Sequence, residues 1–231
     1  MNLASLFRLL PERLQQLWWN SRWREAVVQW DTGKGKVDPR TVLEFDAADK
    51  AAVATLYRSF GDAVMAEEDD EVYRVMAKLL WKYPQPDSYV HDSVKHRTSD
   101  YWQHPLQTFT DGTGDCDDWA ILLYALLRHA GVPAWRLKLV VHLACRPDGK
   151  QGEGHMSVLY LAHRDYEWYT LEGTWYPAFA LENFLLTPQK RNPMYGKIYF
   201  TFNEERIWAQ HDFDLRPRFG KAFIDPFKER P

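Results

Sequence analysis

Three side chains in this sequence have the types that nucleophilic acyl chemistry needs: a thiol at Cys116, an imidazole at His155 and a carboxylate at Glu172. A thiolate attacks a carbonyl, an imidazole takes and returns its proton, and a carboxylate holds the imidazole in the working tautomer. The cysteine stands in "GDCDDWA", between Asp115 and the pair Asp117 and Asp118, directly before a long apolar run. A helix uses acidic residues in its first turn, where free N–H groups and the dipole favour negative charge, but it has no structural need for a thiol there. The same dipole favours a thiolate while the three aspartates oppose it, so the site needs a positive partner.

The elements that position these groups follow from hydrophobic spacing. Trp119, Leu122, Leu123, Leu126, Leu127 and Ala130 make one apolar helix stripe. Arg128, His129, Gly131 and Pro133 are stop signals, which sets the helix start near Asp115. Next, "WRLKLVVHL" alternates as a half-buried strand, and "HMSVLYL" and "YEWYTLE" read as two further strands joined by the turn "AHRD". A hairpin with Leu161 opposite Tyr166 sets His155 opposite Glu172, and directly paired residues share a sheet face.

Upstream, spacing predicts a helix from Pro11 to about Trp30, a linker at "DTGKGKVDPRT", and helices from about Ala47 to Phe60 and from about Asp69 to Tyr83. The last opens on "EEDDE" at 67–71, read as a solvated helix start. The loop "ACRPDGKQGEG" leads into His155 and is expected to border the cleft, with Cys145 a bystander. His129, His142 and His163 are assigned to a helix end, a strand face and a turn.

Bulk properties exclude several classes. With 29 Lys and Arg against 32 Asp and Glu, the net charge of −3 gives no general pull toward nucleic acid or anionic membrane. No glycine-rich phosphate loop occurs. Cys116, His142, Cys145 and His155 lack the paired spacing of a zinc site. Two cysteines are too few for a disulfide framework, and Arg8, Pro11, Glu12 and Arg13 interrupt the apolar N-terminus, so the expectation is a cytoplasmic protein with no membrane span.

Together "GDCDDWA", "GVPAWRLKL", "GHMSVLYL", "YTLEGTWYP" and "YFTFNEERIW" resemble the transglutaminase-like cysteine peptidases, especially the bacterial transglutaminase-like cysteine proteinase family. The resemblance covers about Tyr101 to Trp208. It implies an α+β papain-like fold, with a nucleophile helix packed on an antiparallel sheet and an N-terminal helical extension. The expected division is an arm and linker at 1–45 and a peptidase domain at 46–231. Carried over by position, Cys116 is similar to the family's nucleophile, His155 to its base and Glu172 to its third member, where the family usually has aspartate.

The resemblance implies a thiol hydrolase acting on a protein or peptide substrate through an acyl-enzyme, with no cofactor required. Transfer of the acyl group to an amine and a noncatalytic protein-binding module on the same scaffold are the alternatives. The backbone N–H of Cys116 suits one oxyanion donor, and Trp102 or Gln103 in "DYWQHP" is the candidate for the second. Some relatives bind calcium through acidic residues flanking the nucleophile, at places that match Asp115 and Asp117.

Overall fold

The structure is a computed structural model that describes residues 11, 13–14, 24–25, 29–31, 35–61, 69–84, 87–145, 151–174 and 195–209. Five α-helices are described: α1 (Ala47–Ser59), α2 (Asp69–Lys82), the single turn α3 (Asp92–Lys95), α4 (Pro105–Asp111) and α5 (Cys116–His129). The strands are β1 (Arg24–Glu25), β2 (Trp30–Asp31), β3 (Lys36–Val37), β4 (Leu137–Cys145), β5 (Gln151–Leu161), β6 (Trp168–Leu171), β7 (Tyr195–Phe202) and β8 (Ile207–Ala209). A six-stranded sheet has the order β1-β8-β7-β4-β5-β6 with every pair antiparallel, and β2 and β3 form a separate hairpin. Among the described residues no helix is long and apolar enough to cross a membrane.

Local chemistry sets the helix ends. Asp46 caps α1 by accepting the N–H groups of Ala48 and Asp49, each at 2.8 Å. Asp49 returns to the Asp46 N–H and also accepts from Leu106, which ties α1 to α4. Gly112, at φ 63°, ends α4 in the left-handed region. Gly131, at φ 96°, ends α5, where Val132 N–H returns to the Leu127 carbonyl at 3.0 Å.

Helix α5 is the centre of the core. Every residue from Asp117 to Leu127 is buried, so α5 is covered on all sides rather than along the single predicted stripe. It packs against β4 and β5 on one side and against α1, α2 and α4 on the other. Leu137, Leu139, Val158, Tyr160, Leu171, Phe200 and Phe202 complete this core.

The other sheet face is also closed. Trp135, Val140, Leu159, Leu161, Trp168, Ile198 and Trp208 form a second apolar cluster there. Lys138, expected to face water, is 1% exposed with its ammonium 3.9 Å from the Trp208 ring centroid and 4.9 Å from that of Trp168. The alternation in "WRLKLVVHL" therefore separates two covered faces, not a wet one from a dry one.

At the N-terminal side, most of the helix expected from Pro11 to about Trp30 lies outside the described residues, and within it Arg24, Glu25 and Trp30 belong to strands. Arg24 and Glu25 pair with Ala209 and Trp208 at the sheet edge, and Trp30 and Asp31 pair with Val37 and Lys36. The predicted linker thus contains a hairpin followed by a 3-10 turn at Pro39–Leu43. Of the polar loop before His155, residues 146–150 lie outside the described residues, and Gly152 and Gly154 belong to β5.

Candidate active site

Cys116 is the first residue of α5, half-buried and not in a disulfide. Asp115 is the cap residue, and Asp118 reaches back to the Asp115 N–H at 3.1 Å. Two glycines make room for this helix start. A Cβ on Gly114 would lie 2.6 Å from the Asp118 side chain, and one on Gly173 would lie 2.9 Å from the backbone carbonyl of Trp119. Gly173 directly follows Glu172, so the first turn of α5 crosses closely over the end of the strand that leads to the carboxylate.

On the sheet, His155 Nε2 lies 3.0 Å from Glu172 Oε2. With Nε2 engaged, Nδ1 is the ring nitrogen left for Cys116, whose side chain is hydrogen-bonded to His155. Burial opposes a charged imidazole, but the Glu172 carboxylate and the hydrogen bonds to Cys116 and Glu172 outweigh it and hold the His155 pKa well above the ordinary histidine range. The thiol, imidazole and carboxylate selected from sequence are therefore brought together in space.

Their register differs from expectation. Leu161 pairs with Trp168, not Tyr166, and Val158 pairs with Leu171. The turn is longer because Tyr166 adopts φ 56° and its N–H closes on the Ala162 carbonyl at 3.1 Å. Continuing this register sets Glu172 level with Ser157, so the carboxylate reaches His155 diagonally. The shift is two residues, which preserves the face.

Two further side chains join the site. The Tyr195 hydroxyl donates to Glu172 Oε1 at 2.6 Å. The ring of His142, assigned from sequence only to a strand face, lies 5.4 Å from His155 and 4.9 Å from Tyr195, and its Nε2 is 3.0 Å from the Ser157 hydroxyl. Burial, with the nearby His155 charge, pushes the His142 pKa well down, so this second ring is neutral.

The two side chains considered as second oxyanion donors are otherwise engaged. Gln103 donates its backbone N–H to Asp118 Oδ1 at 2.7 Å, and its amide donates to Asp118 Oδ2 and to the Thr113 carbonyl. Both amide hydrogens of this fully buried residue thus have acceptors within the fold. Trp102 hydrogen-bonds Asp100 and stacks between Trp30 and Phe202 at centroid distances of 5.4 and 5.7 Å. The Cys116 N–H, in the helix turn whose N–H groups have no intrahelical acceptor, keeps its suitability.

Beside the thiol lies an acidic cluster larger than the sequence indicated. Asp115 and Asp117 are joined by Asp92 and Asp100, and carboxylate oxygens of Asp92, Asp100 and Asp117 lie within 4.8 Å of one another. Burial and mutual repulsion push Asp92 up to about 7. Burial raises Asp100 to about 6 against its hydrogen bonds from Trp30 and Trp102, with Asp115 adding to the rise. Asp117 is pushed well up by burial and by Asp118, Asp115, Cys116 and Asp100.

Oδ1 of Asp92, of Asp115 and of Asp117 is buried without a hydrogen-bond partner. Buried orphan oxygens in a cluster of hard donors fit a calcium ion. Asp118 is set apart, because Gln103 and the Asp115 N–H occupy its oxygens.

A thiol at a buried helix start, facing an imidazole braced by a carboxylate on an antiparallel sheet, defines a papain-like arrangement of site and fold. The model of the transglutaminase-like superfamily matches residues 58–173, half of the chain. The chain belongs to that superfamily. No curated protein matches it.

Among solved structures it is similar to Legionella pneumophila LapG, at 20% identity over 73% of this chain and 83% of that one, with a TM-score of 0.47. The calcium-bound form of LapG matches at 19% identity over 80% and 90% of the two chains, with the same TM-score.

Proposed function

We propose that this protein is a thiol hydrolase that cleaves a peptide or other amide bond through Cys116, His155 and Glu172. The observation that carries this reading is His155 set between its two partners, hydrogen-bonded to Cys116 and 3.0 Å from the Glu172 carboxylate. Nδ1 of His155 takes the thiol proton, and the thiolate sulfur attacks the amide carbonyl carbon. The Cys116 N–H donates to the resulting oxyanion. The imidazolium then protonates the leaving amine as the C–N bond breaks, which leaves a thioester.

Water, deprotonated by His155, hydrolyses the thioester and restores the thiol. Throughout, Glu172 accepts from Nε2 and stabilises the imidazolium without itself becoming protonated. An amine in place of that water would give acyl transfer by the same steps.

Asp92, Asp100, Asp115 and Asp117 are the residues that would hold calcium. The ion would supply positive charge to balance the carboxylates beside the helix start. The division into an arm at 1–45 and a catalytic domain at 46–231 belongs to the same reading, with β1 joining the arm to the sheet edge through β8. A cytoplasmic setting is inferred from the use of only two cysteines.

Iodoacetamide alkylation followed by peptide mapping tests the pair. Cys116 is expected to react faster than Cys145, and His155→Ala to remove that preference. Equal rates in both proteins would leave the noncatalytic binding module as the better reading. Release of new amine termini from unfolded casein, set against incorporation of a fluorescent primary amine, separates hydrolysis from transfer.

A further inference from the structure

We propose that Tyr195 is a positioning residue that seats Glu172, and that the diagonal register between β5 and β6 makes glutamate, not aspartate, the working residue in this chain. The inference rests on the thiol-hydrolase reading for its consequence, though not for its geometry. Glu172 is held at both oxygens, with Oε1 accepting from the Tyr195 hydroxyl at 2.6 Å and Oε2 lying 3.0 Å from His155 Nε2. The two anchors stand on different strands, His155 on β5 and Tyr195 on β7, with β4 between them.

Both anchors are fixed. Tyr195 is 3% exposed and pairs with Ala144 on β4, while His155 pairs with His142. A carboxylate on a shorter side chain cannot draw both toward it without moving a strand. Continuing the β5–β6 register sets Glu172 level with Ser157, so His155 is a diagonal neighbour. Diagonal positions are about 7–8 Å apart, against about 4.5–5.5 Å for a direct pair. Aspartate would withdraw the carboxylate by one C–C bond, about 1.5 Å, which takes a 3.0 Å contact out of hydrogen-bond range.

The surroundings of the pair suit this role. Burial and the adjacent Glu172 charge push the Tyr195 phenol well up, so it stays protonated and donates. His142 fills the corner between His155 and Tyr195 as a neutral ring. A proton added to it would leave a buried N–H at Nδ1 without an acceptor. The titratable groups around His155 are thus Cys116 from α5, His142 from β4 and Glu172 after β6, with Tyr195 from β7 behind the carboxylate.

The test compares Tyr195→Phe and Glu172→Asp. His155 titration is followed by NMR in a Cys116→Ala background, where the thiol does not titrate with it, and kcat and KM are measured with the thiol intact. Tyr195→Phe is expected to lower the His155 pKa and reduce kcat roughly tenfold with KM unchanged, as loss of a hydrogen bond to a charged group implies. Glu172→Asp is expected to do at least as much harm.

An aspartate variant with wild-type His155 titration would overturn the register argument, and an unmoved titration in Tyr195→Phe would overturn the positioning role. If one variant fails to fold by circular dichroism, the other still decides its own half. Shifted titrations in a protein that hydrolyses no amide would sink the hydrolase reading alone. Normal turnover with unmoved titrations would sink only the positioning proposal.

Discussion

Two helices of this protein start with clustered carboxylates, and they resolve the same electrostatic problem in opposite ways. At the start of α2, Asp69 accepts the N–H groups of His163 and Arg164 at 2.7 and 2.9 Å and the Tyr160 hydroxyl at 2.6 Å, with the Arg136 guanidinium at 3.6 Å. Burial works against its charge, but these hydrogen bonds and Arg136 outweigh burial and lower its pKa. At the start of α5 the carboxylates face one another, three have an unpartnered buried oxygen, and their pKa values are raised. An acidic helix start is structural where partners balance it. Where they do not, buried carboxylate oxygens are left that a cation would satisfy.

The sequence reads Asp69 as part of a solvated helix start, whereas in the structure it fastens α2 to the turn between β5 and β6. Breaking that side of the comparison has the largest expected effect. Asp69→Ala leaves the 2% exposed Arg136 buried beside an empty place. Urea unfolding is expected to show a loss of about 3–5 kcal/mol, the range for breaking a buried ion pair from one side. A loss below 1 kcal/mol would mean that Asp69 is no anchor.

On the α5 side, calcium at a hundredfold excess over its Kd is expected to stabilise the folded protein by about 2.7 kcal/mol, read as a rise in Tm over an EGTA control. No rise at millimolar calcium would remove the ion from the proposed function. Gly173→Ala comes next, because the added methyl meets the Trp119 carbonyl at 2.9 Å. Its expected cost is about 1–3 kcal/mol, together with slower Cys116 alkylation as the helix start shifts. Asp117→Asn is expected to raise metal-free stability by about 1 kcal/mol through relief of repulsion, and to abolish the response to calcium.

The smallest effect is the pH profile, which has opposite signs at the two helix starts. Asp92 and Asp118 are raised to about 7 and Asp100 to about 6. Folded protein therefore holds more protons than unfolded chain between about pH 4 and those values, and metal-free stability falls as pH rises through that window. Asp69, lowered, contributes stability above about pH 4 that is lost as pH falls through its folded value. Urea midpoints across pH in wild type and Asp117→Asn measure the difference. A flat profile between pH 4 and 7 in EGTA would show that the α5 carboxylates do not strain the fold.

Much of this arrangement is legible in the residue pattern. The helices expected at 47–60 and 69–83 are found at Ala47–Ser59 and Asp69–Lys82, and α5 starts where its cap and apolar run place it. These features depend on interactions within four residues, so local spacing carries them. Cys116, His155 and Glu172 are legible too, because helix and strand order brings them to one end of the sheet. Even the mistaken hairpin register keeps His155 and Glu172 on one face, since an error of two preserves strand parity.

Other features have no local signal. Asp92 and Asp100 stand in "VHDSVK" and "SDYWQ" with no spacing to mark them as companions of Asp115 and Asp117. Tyr195 lies 23 residues beyond Glu172 and reaches it only because β7 lies beside β4 in the sheet. Lys138 and His142 read as outward-facing in a strand whose second face is in fact covered. Local spacing and residue type thus account for the helix that holds the thiol, its start and stop, and the groups able to do the chemistry. Which carboxylates gather, which oxygens lack partners and how far Glu172 must reach follow from the folded chain alone, because they depend on strand order and register between distant segments.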